Sequence, residues 1–262
     1  MPGRAKAAAT RYTPGMSIQC DADWKGLRRA ADVARRTLDL MAGHVRAGVT
    51  TGELDALAAG LFASHGARSA PALEYGFPRT VLISVNDEVV HGIPGSRRIV
   101  AGDLVSLDVT VELDGYVADA ARSVVVAPAA SEASRLVACA EAALAAAMAV
   151  ARAGVKVNAI GRAVQHEVLR QGFTVIRGLS GHGVGRTIHE APSVPNEYDP
   201  RQRDVLTEGL VLTIEPMISA GSAFVTQDRD GWTLRTGDGS LSAHVEHTLV
   251  ITRGAPVVLT AA

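Results

Sequence analysis

The stretch Leu104-Val-Ser-Leu-Asp-Val-Thr-Val-Glu-Leu-Asp-Gly-Tyr-Val-Ala-Asp-Ala-Ala-Arg-Ser-Val-Val-Val126 decides how the chain folds. Two β-branched, apolar runs flank Asp114-Gly115, a dipeptide that closes two-residue hairpins. Such a turn sets Leu113 opposite Tyr116 and, counting back, Asp108 opposite Ala121. Asp119 then lies two positions along the same face, a diagonal neighbour of Asp108. Two carboxylates so placed can converge on metal ions about 3.5–4 Å apart. A longer turn would shift the register and leave one of the two acids facing solvent.

Further acids sit where apolar residues are expected. Glu215 lies in Val211-Leu-Thr-Ile-Glu-Pro-Met217 and Glu246 in Val245-Glu-His-Thr-Leu-Val250. A bare buried carboxylate costs several kcal/mol, so such groups are paired, protonated or metal-bound. Arg122 is the only basic residue in the first hairpin, so local salt bridges cannot neutralise them all. Divalent metal can.

Histidines supply the other candidates. Gly181-His-Gly-Val-Gly-Arg-Thr-Ile-His-Glu-Ala-Pro192 reads as a glycine-rich loop carrying His182 and His189. The spacing is not HExxH, and prolines stand where a Rossmann helix would begin. Gly178-Leu-Ser-Gly-His182 misses the last glycine of a nucleophile elbow. His91, in Val90-His-Gly-Ile-Pro94, is the third. Singly, each is more often a structural or surface histidine.

Around these motifs the same order of elements occurs twice. Asp21 to Val45 places Leu27, Ala31, Val33, Ala34, Leu38 and Met41 at helical spacing. A break at Gly48–Gly52 follows, and Thr50 or Thr51 can cap a second helix to about His65. Thr80–Val85 and the hairpin supply strands. A long helix, Ser131–Ala153, then restarts the pattern, with a second from Asn158 to Gln171. Strand-like runs follow at 174–176, 210–218, 223–227, 232–235 and 243–252. The reading is an α+β domain of two related halves, spanning 15–262 behind a tail of residues 1–14, with a site between the halves.

Composition excludes several classes. The chain has 262 residues, 47% hydrophobic and 20% charged, which is ordinary for a folded globular protein. A net charge of -1 argues against bulk electrostatic binding to nucleic acid. Arg28, Arg29, Arg35 and Arg36 on the first helix read as a solvated face, with a docking face for ribosomal RNA as the functional alternative. Cys20 and Cys139 read as free thiols of a reducing compartment. The N-terminus has no apolar signal region, and the run Leu136–Val150, which contains Glu141, reads as too short to span a bilayer and better as a buried helix. A cytoplasmic protein with no membrane partner is expected.

Together, in order, five segments resemble the methionine aminopeptidases of the short type I class, in the M24 metallopeptidase family. They are Ser84–Pro94, Leu107–Asp119, Gly181–Pro192, Thr213–Met217 and Ser240–Thr248. The resemblance spans roughly residues 18 to 255 and implies the pita-bread fold, two pseudo-symmetric αβ halves around a central antiparallel sheet. It implies Asp108, Asp119, His182, Glu215 and Glu246 as ligands of two divalent ions, with Asp119 and Glu246 bridging. Co²⁺, Mn²⁺, Fe²⁺ or Zn²⁺ would suit one imidazole among carboxylates. It further implies that activated water cleaves the first peptide bond, with Glu215 moving protons, His189 stabilising the oxyanion and His91 contacting the scissile amide. Leu82, Ile188 and Trp232 would line the methionine pocket, although relatives often carry cysteine and an aromatic at the first two positions. The implied substrate is the N-terminus of nascent proteins with a small second residue, met by a monomer with transient ribosome docking. Met1-Pro2 would itself be such a start. A proline-specific dipeptidase would share the five ligands but usually has an extra N-terminal domain. A creatinase-like amidinohydrolase would lack the ligand set. A non-enzymatic member would have lost ligands and gained basic insertions.

Overall fold

The computed structural model describes residues 15–261. The expectations for the tail of residues 1–14 and for Met1-Pro2 lie outside the described residues. Helix α1 covers Asp21–His44 and α2 Thr51–His65. A capping box starts α2: the Thr50 hydroxyl accepts the Glu53 N–H, and the Glu53 carboxylate accepts that of Thr50. The chain continues through β1 (Arg68–Ser69), a short α3 (Ala70–Tyr75), β2 (Leu82–Val85) and β3 (Glu88–Val90). The hairpin strands are β4 (Leu104–Leu113) and β5 (Tyr116–Val125), followed by α4 (Ser131–Val150) and α5 (Asn158–Arg170). The rest is strand: β6 (Thr174–Val175), β7 (Ser180–Gly183), β8 (Glu190–Pro195), β9 (Val211–Ile214) and β10 (Met217–Ser219). Then come β11 (Val225–Gln227), β12 (Leu234–Thr236), β13 (Ser242–His244), β14 (Glu246–Val250) and β15 (Val257–Val258).

The largest sheet runs β1-β4-β5-β14-β9-β7-β8, with β2 on β4 and β15 on β14. All its pairs are antiparallel. Its two ends carry separate apolar cores. Leu38, Met41, Leu54 and Phe62 of α1 and α2 pack on Ile83, Leu107 and Val109. Leu136, Leu144, Ile160 and Val164 of α4 and α5 pack on Leu212, Ile214 and Leu249. The halves meet at β5 and β14, where Glu246 pairs with Ala121. Two smaller sheets, β13-β10-β6 and β11-β12-β3, flank this seam.

The run Leu136–Val150 lies, as expected, in a buried helix: it belongs to the 20-residue α4, whose Ala133, Leu136, Cys139, Ala140, Ala143, Leu144 and Ala147 are buried in the second core, although α4 is long and apolar enough to cross a membrane by length and composition alone. Two expectations need correction. The segment read as a glycine-rich loop is largely a hairpin: His182 lies on β7, and only residues 184–189 form the loop. The run 210–218 is two strands, broken at Glu215-Pro216, since proline has no N–H to donate.

The arginines of α1 are tied down. Arg29 pairs with Asp114, Arg35 with Asp32 and Asp39, and Arg36 with Asp32. Arg28 stacks over Trp24. Three of the four arginines are thus paired with carboxylates.

Candidate active site

Asp114 and Gly115 have φ of 52° and 79°, so the turn is the two-residue type that matches strand twist. The register follows: Asp108 pairs with Ala121 and Thr110 with Asp119. Because Ala121 also pairs with Glu246, Asp108 and Glu246 flank one small side chain in a row across three strands. Asp119 is held beside them. It accepts from Thr110 Oγ1 over 2.9 Å, and its backbone is locked to Thr248, whose hydroxyl accepts the Asp119 N–H and donates to its carbonyl.

Strand β14 brings in the other half. His247 pairs with Ile214, so Glu215, one residue beyond β9, reaches the same seam. Asn196 Nδ2 donates to the Glu215 carbonyl and fixes the break in the strand. His182 arrives on β7, which lies so close to β9 that a Cβ on Gly181 would stand 2.6 Å from the Thr213 carbonyl oxygen. Its Nδ1 is 3.0 Å from the Gly183 carbonyl, which can only accept, so the proton sits on Nδ1 and Nε2 carries the lone pair. That nitrogen faces Glu215 Oε1 at 3.3 Å.

Burial dominates the electrostatics of this cluster. Burial pushes Asp119 up to about 6. It also drives Asp108, Glu215 and Glu246 well above the carboxylate range, with the charge of Asp119 adding to each. Burial pushes His182 and His244 down to about 3 and His91 down to about 4, so these rings are neutral. Asp108 Oδ1, Glu246 Oε1 and His244 Nε2 are buried without a hydrogen-bond partner. Arg122, the basic residue of the hairpin, turns away to Asp39. Donor atoms of Asp119, His182 and Glu246 lie within 4.8 Å of one another. Lone pairs facing lone pairs need protons or cations between them, and a carboxylate-rich set with one imidazole fits divalent metal.

The cluster opens into a cavity of about 340 Å³. Leu82, Val90, Phe77, Ile188, Met217 and Trp232 line it, so the expected pocket residues do meet the expected ligands. Trp232 meets the face or edge of Phe77 in a T-shaped contact at 5.2 Å. His91 also lines the cavity, held with φ of 62°, a left-handed conformation uncommon outside glycine. His189 packs against His182 with ring centroids 4.3 Å apart and the planes tilted by 55°. Sequence reasoning passed over His244, Tyr75, Phe77, Thr110 and Thr213. Only His244 had a local signal, since it lies two residues before Glu246.

Comparison with known proteins agrees with this geometry. The model of metallopeptidase family M24 matches residues 25–253. Methionine aminopeptidase 2 of Bacillus subtilis is 41% identical over 247 residues, 94% of this chain and 99% of that protein. The crystal structure of methionine aminopeptidase from Rickettsia prowazekii superposes with a TM-score of 0.89 at 37% identity, over 94% of this chain and 100% of its own. The prolidase of Pyrococcus furiosus superposes at 0.75 with 22% identity, over 94% of this chain and 65% of its own, which is a likeness of fold alone.

Proposed function

The chain belongs to metallopeptidase family M24 and has methionine aminopeptidase activity, and from that premise we propose that Asp108, Asp119, His182, Glu215 and Glu246 hold two divalent cations. The observation that carries this reading is the convergence of buried Asp119, Glu215 and Glu246, half-buried Asp108 and the neutral imidazole of His182 on a single cavity that His91, His189 and His244 also line, with buried oxygens of Asp108 and Glu246 left unpartnered. Asp119 and Glu246, at the centre, would serve both ions. Co²⁺, Mn²⁺, Fe²⁺ and Zn²⁺ all suit the donor set. Bound there, the ions supply Lewis acidity and lower the pKa of water.

The chain's own groups do the rest. Glu215 takes the proton of the attacking water and delivers it to the leaving amine. His189 donates a hydrogen bond to the carbonyl oxygen as negative charge builds there. His91 contacts the scissile amide. Asp108 meets the free α-amine, which restricts cleavage to the first residue. Leu82, Ile188, Phe77 and Trp232 enclose the methionine side chain. A small second residue is required because a bulky one would displace the carbonyl. In this reading the enzyme acts as a cytoplasmic monomer on nascent N-termini, and any ribosome docking uses a surface other than the paired arginines of α1.

Release of methionine from Met-Ala-Ser and from Met-Leu-Ser, with and without added Mn²⁺, tests this. Metal-dependent cleavage of the first alone is expected. Equal cleavage of both would indicate a broader aminopeptidase, and preference for a Met-Pro dipeptide would indicate a dipeptidase.

A further inference from the structure

Strand β3 runs straight into His91, and β12 begins just after Trp232, so the pairing of these strands sets one wall of the cavity against another. That pairing is irregular. Leu234 lies opposite Val90, but Arg235 lies opposite Glu88, which makes Val89 an extra residue on β3, a bulge. A regular ladder would put Arg235 opposite Val89 instead, and one residue of slip turns side chains to the other face. The apolar contacts beneath this sheet are few, with Val89, Val90, Ile176 and Met217 as the buried members of a small cluster.

Charge holds the bulge. Arg235 Nε donates to Asp228 Oδ2 over 2.8 Å, one terminal nitrogen donates to both Asp87 oxygens over 3.0 Å, and the other to Glu88 Oε1 over 2.8 Å. A guanidinium carries only donors, so the sense of every bond is fixed. Glu88, with its side chain 10% exposed, also accepts from Arg97 on Oε1 and from the Val85 N–H on Oε2, which ties the bulge to the end of β2. Asp228 closes the turn that carries Trp232: its N–H donates to the Thr233 carbonyl, and its carbonyl accepts the Gly231 N–H. A lone exposed ion pair contributes little, but a planar fork shared by three carboxylates imposes a geometry.

We propose that Arg235 is a positioning residue for the substrate. By pinning Glu88 opposite itself and Asp228 at the foot of the turn, it fixes where Trp232 stands on the wall of the methionine pocket. The inference rests on the pocket assigned above. The His91 end of β3 is anchored separately, since the Gly92 carbonyl accepts the Ile83 N–H over 3.0 Å and the Gly92 N–H donates to Ser84 Oγ over 3.1 Å. Loosening the clamp therefore releases β12 and its turn, and the loss falls on binding of the methionine side chain, in KM.

Arg235→Met keeps the apolar stem and removes the fork. On Met-Ala-Ser, KM should rise about three- to tenfold, no more than loss of the indole itself, with kcat within about twofold. Arg235→Lys keeps the charge but cannot bridge three carboxylates, so its KM should lie between the two. In a Trp232→Ala background, Arg235→Met should change KM by less than about twofold, because it acts through Trp232. With Trp24, the other tryptophan, replaced by Phe, fluorine NMR of 5-fluorotryptophan-labelled protein reports on Trp232 alone. One sharp signal is expected with Arg235 and a shifted or broadened one in Arg235→Met. Should Arg235→Met fail to fold, Arg235→Lys carries the same KM and fluorine readouts. An unchanged KM, a fall in kcat at constant KM, a larger further rise in the Trp232→Ala background, or an unchanged fluorine signal would each overturn the proposal. A Trp232→Ala variant with wild-type KM would instead overturn the pocket, while the fluorine signal still decides whether Arg235 places the indole.

Discussion

The hydroxyl of Thr213 donates to Oε1 of Glu215 over 3.0 Å, and the same hydroxyl accepts the backbone N–H of His182. One buried side chain thus fixes two of the groups assigned to the metal. Thr213→Val keeps the shape and removes the hydroxyl. It leaves the His182 N–H buried without an acceptor, a loss of about 1–3 kcal/mol in stability. Partners of this kind orient ligands, so Mn²⁺ affinity should fall by about 10- to 100-fold. Urea unfolding and calorimetric titration measure the two effects separately. Lower stability with unchanged affinity would confine Thr213 to the fold.

Asp119→Asn and Glu246→Gln replace a central carboxylate by a neutral isostere. Activity should drop by more than about 100-fold, beyond the loss expected from an outer-shell partner. The metal-free variants should nonetheless be more stable than metal-free wild type at neutral pH. Each removes one ionisable group from a cluster of four acids whose pKa values are raised by burial. Thermal unfolding in the presence of a chelator is the measurement. A variant that is less stable and still fully active would show that the carboxylate serves packing.

Stability without metal should also depend on pH in a defined direction. An acid whose pKa is raised by folding keeps its proton in the folded state where the unfolded chain has released it. Its contribution is present below the unfolded pKa and is lost as pH rises toward the folded value. The buried histidines act oppositely, since His91, His182 and His244 are pushed below their ordinary 6.5 and oppose folding as pH falls through that value. Above 6.5 those rings are neutral in both states, and Asp119, at about 6, has also titrated. Of the four acids of the site, Asp108, Glu215 and Glu246 remain, raised well above their ordinary values by burial. Their share of the stability of the chelated protein should therefore fall as pH rises above 6.5, and added Mn²⁺ should restore more of it at higher pH. A flat or rising curve would mean that these acids are not held protonated.

How much of this was legible in sequence depended on whether local chemistry set the geometry. Asp114-Gly115 fixes its own turn, so the pairing of Asp108 with Ala121 and the diagonal to Asp119 could be read directly. The long helices were equally plain from their apolar spacing. Around His182 the signal failed, because the glycines there serve close strand contact: Gly181 has no room for a Cβ against Thr213. Glycine-rich sequence was therefore read as loop where the chain is paired strand. Helix α3 is too short to show a period, and its Tyr75 meets His189 across 114 positions of sequence. His244 sits two residues before Glu246, but the chain breaks between β13 and β14, so simple alternation did not place its ring in the cavity. Contacts made by tertiary approach alone left no mark on composition.

Trp232 offers the sharpest test of the substrate pocket. Its position is set by a small turn in which Asp230 Oδ1 accepts the N–H groups of Trp232 and Thr233, while the Thr233 hydroxyl donates to Asp230 Oδ2. The indole is therefore held by backbone geometry and by the T-shaped contact with Phe77, and it is only half-buried. Removing it should cost the fold little. Removing it should cost substrate binding more, since burying an apolar side chain the size of methionine contributes about 1.5–3 kcal/mol. Contacts with the methionine side chain are the same in ground and transition states, so the loss belongs mainly in KM. For Trp232→Ala, KM on Met-Ala-Ser should rise by about 10-fold or more while kcat changes by less than about threefold. Asp230→Ala should move KM in the same direction by less, because the turn loosens while the indole remains. Steady-state kinetics on both variants, with metal content matched, decides the matter. A fall in kcat at constant KM would place Trp232 at the reacting bond and not on the wall of the methionine pocket.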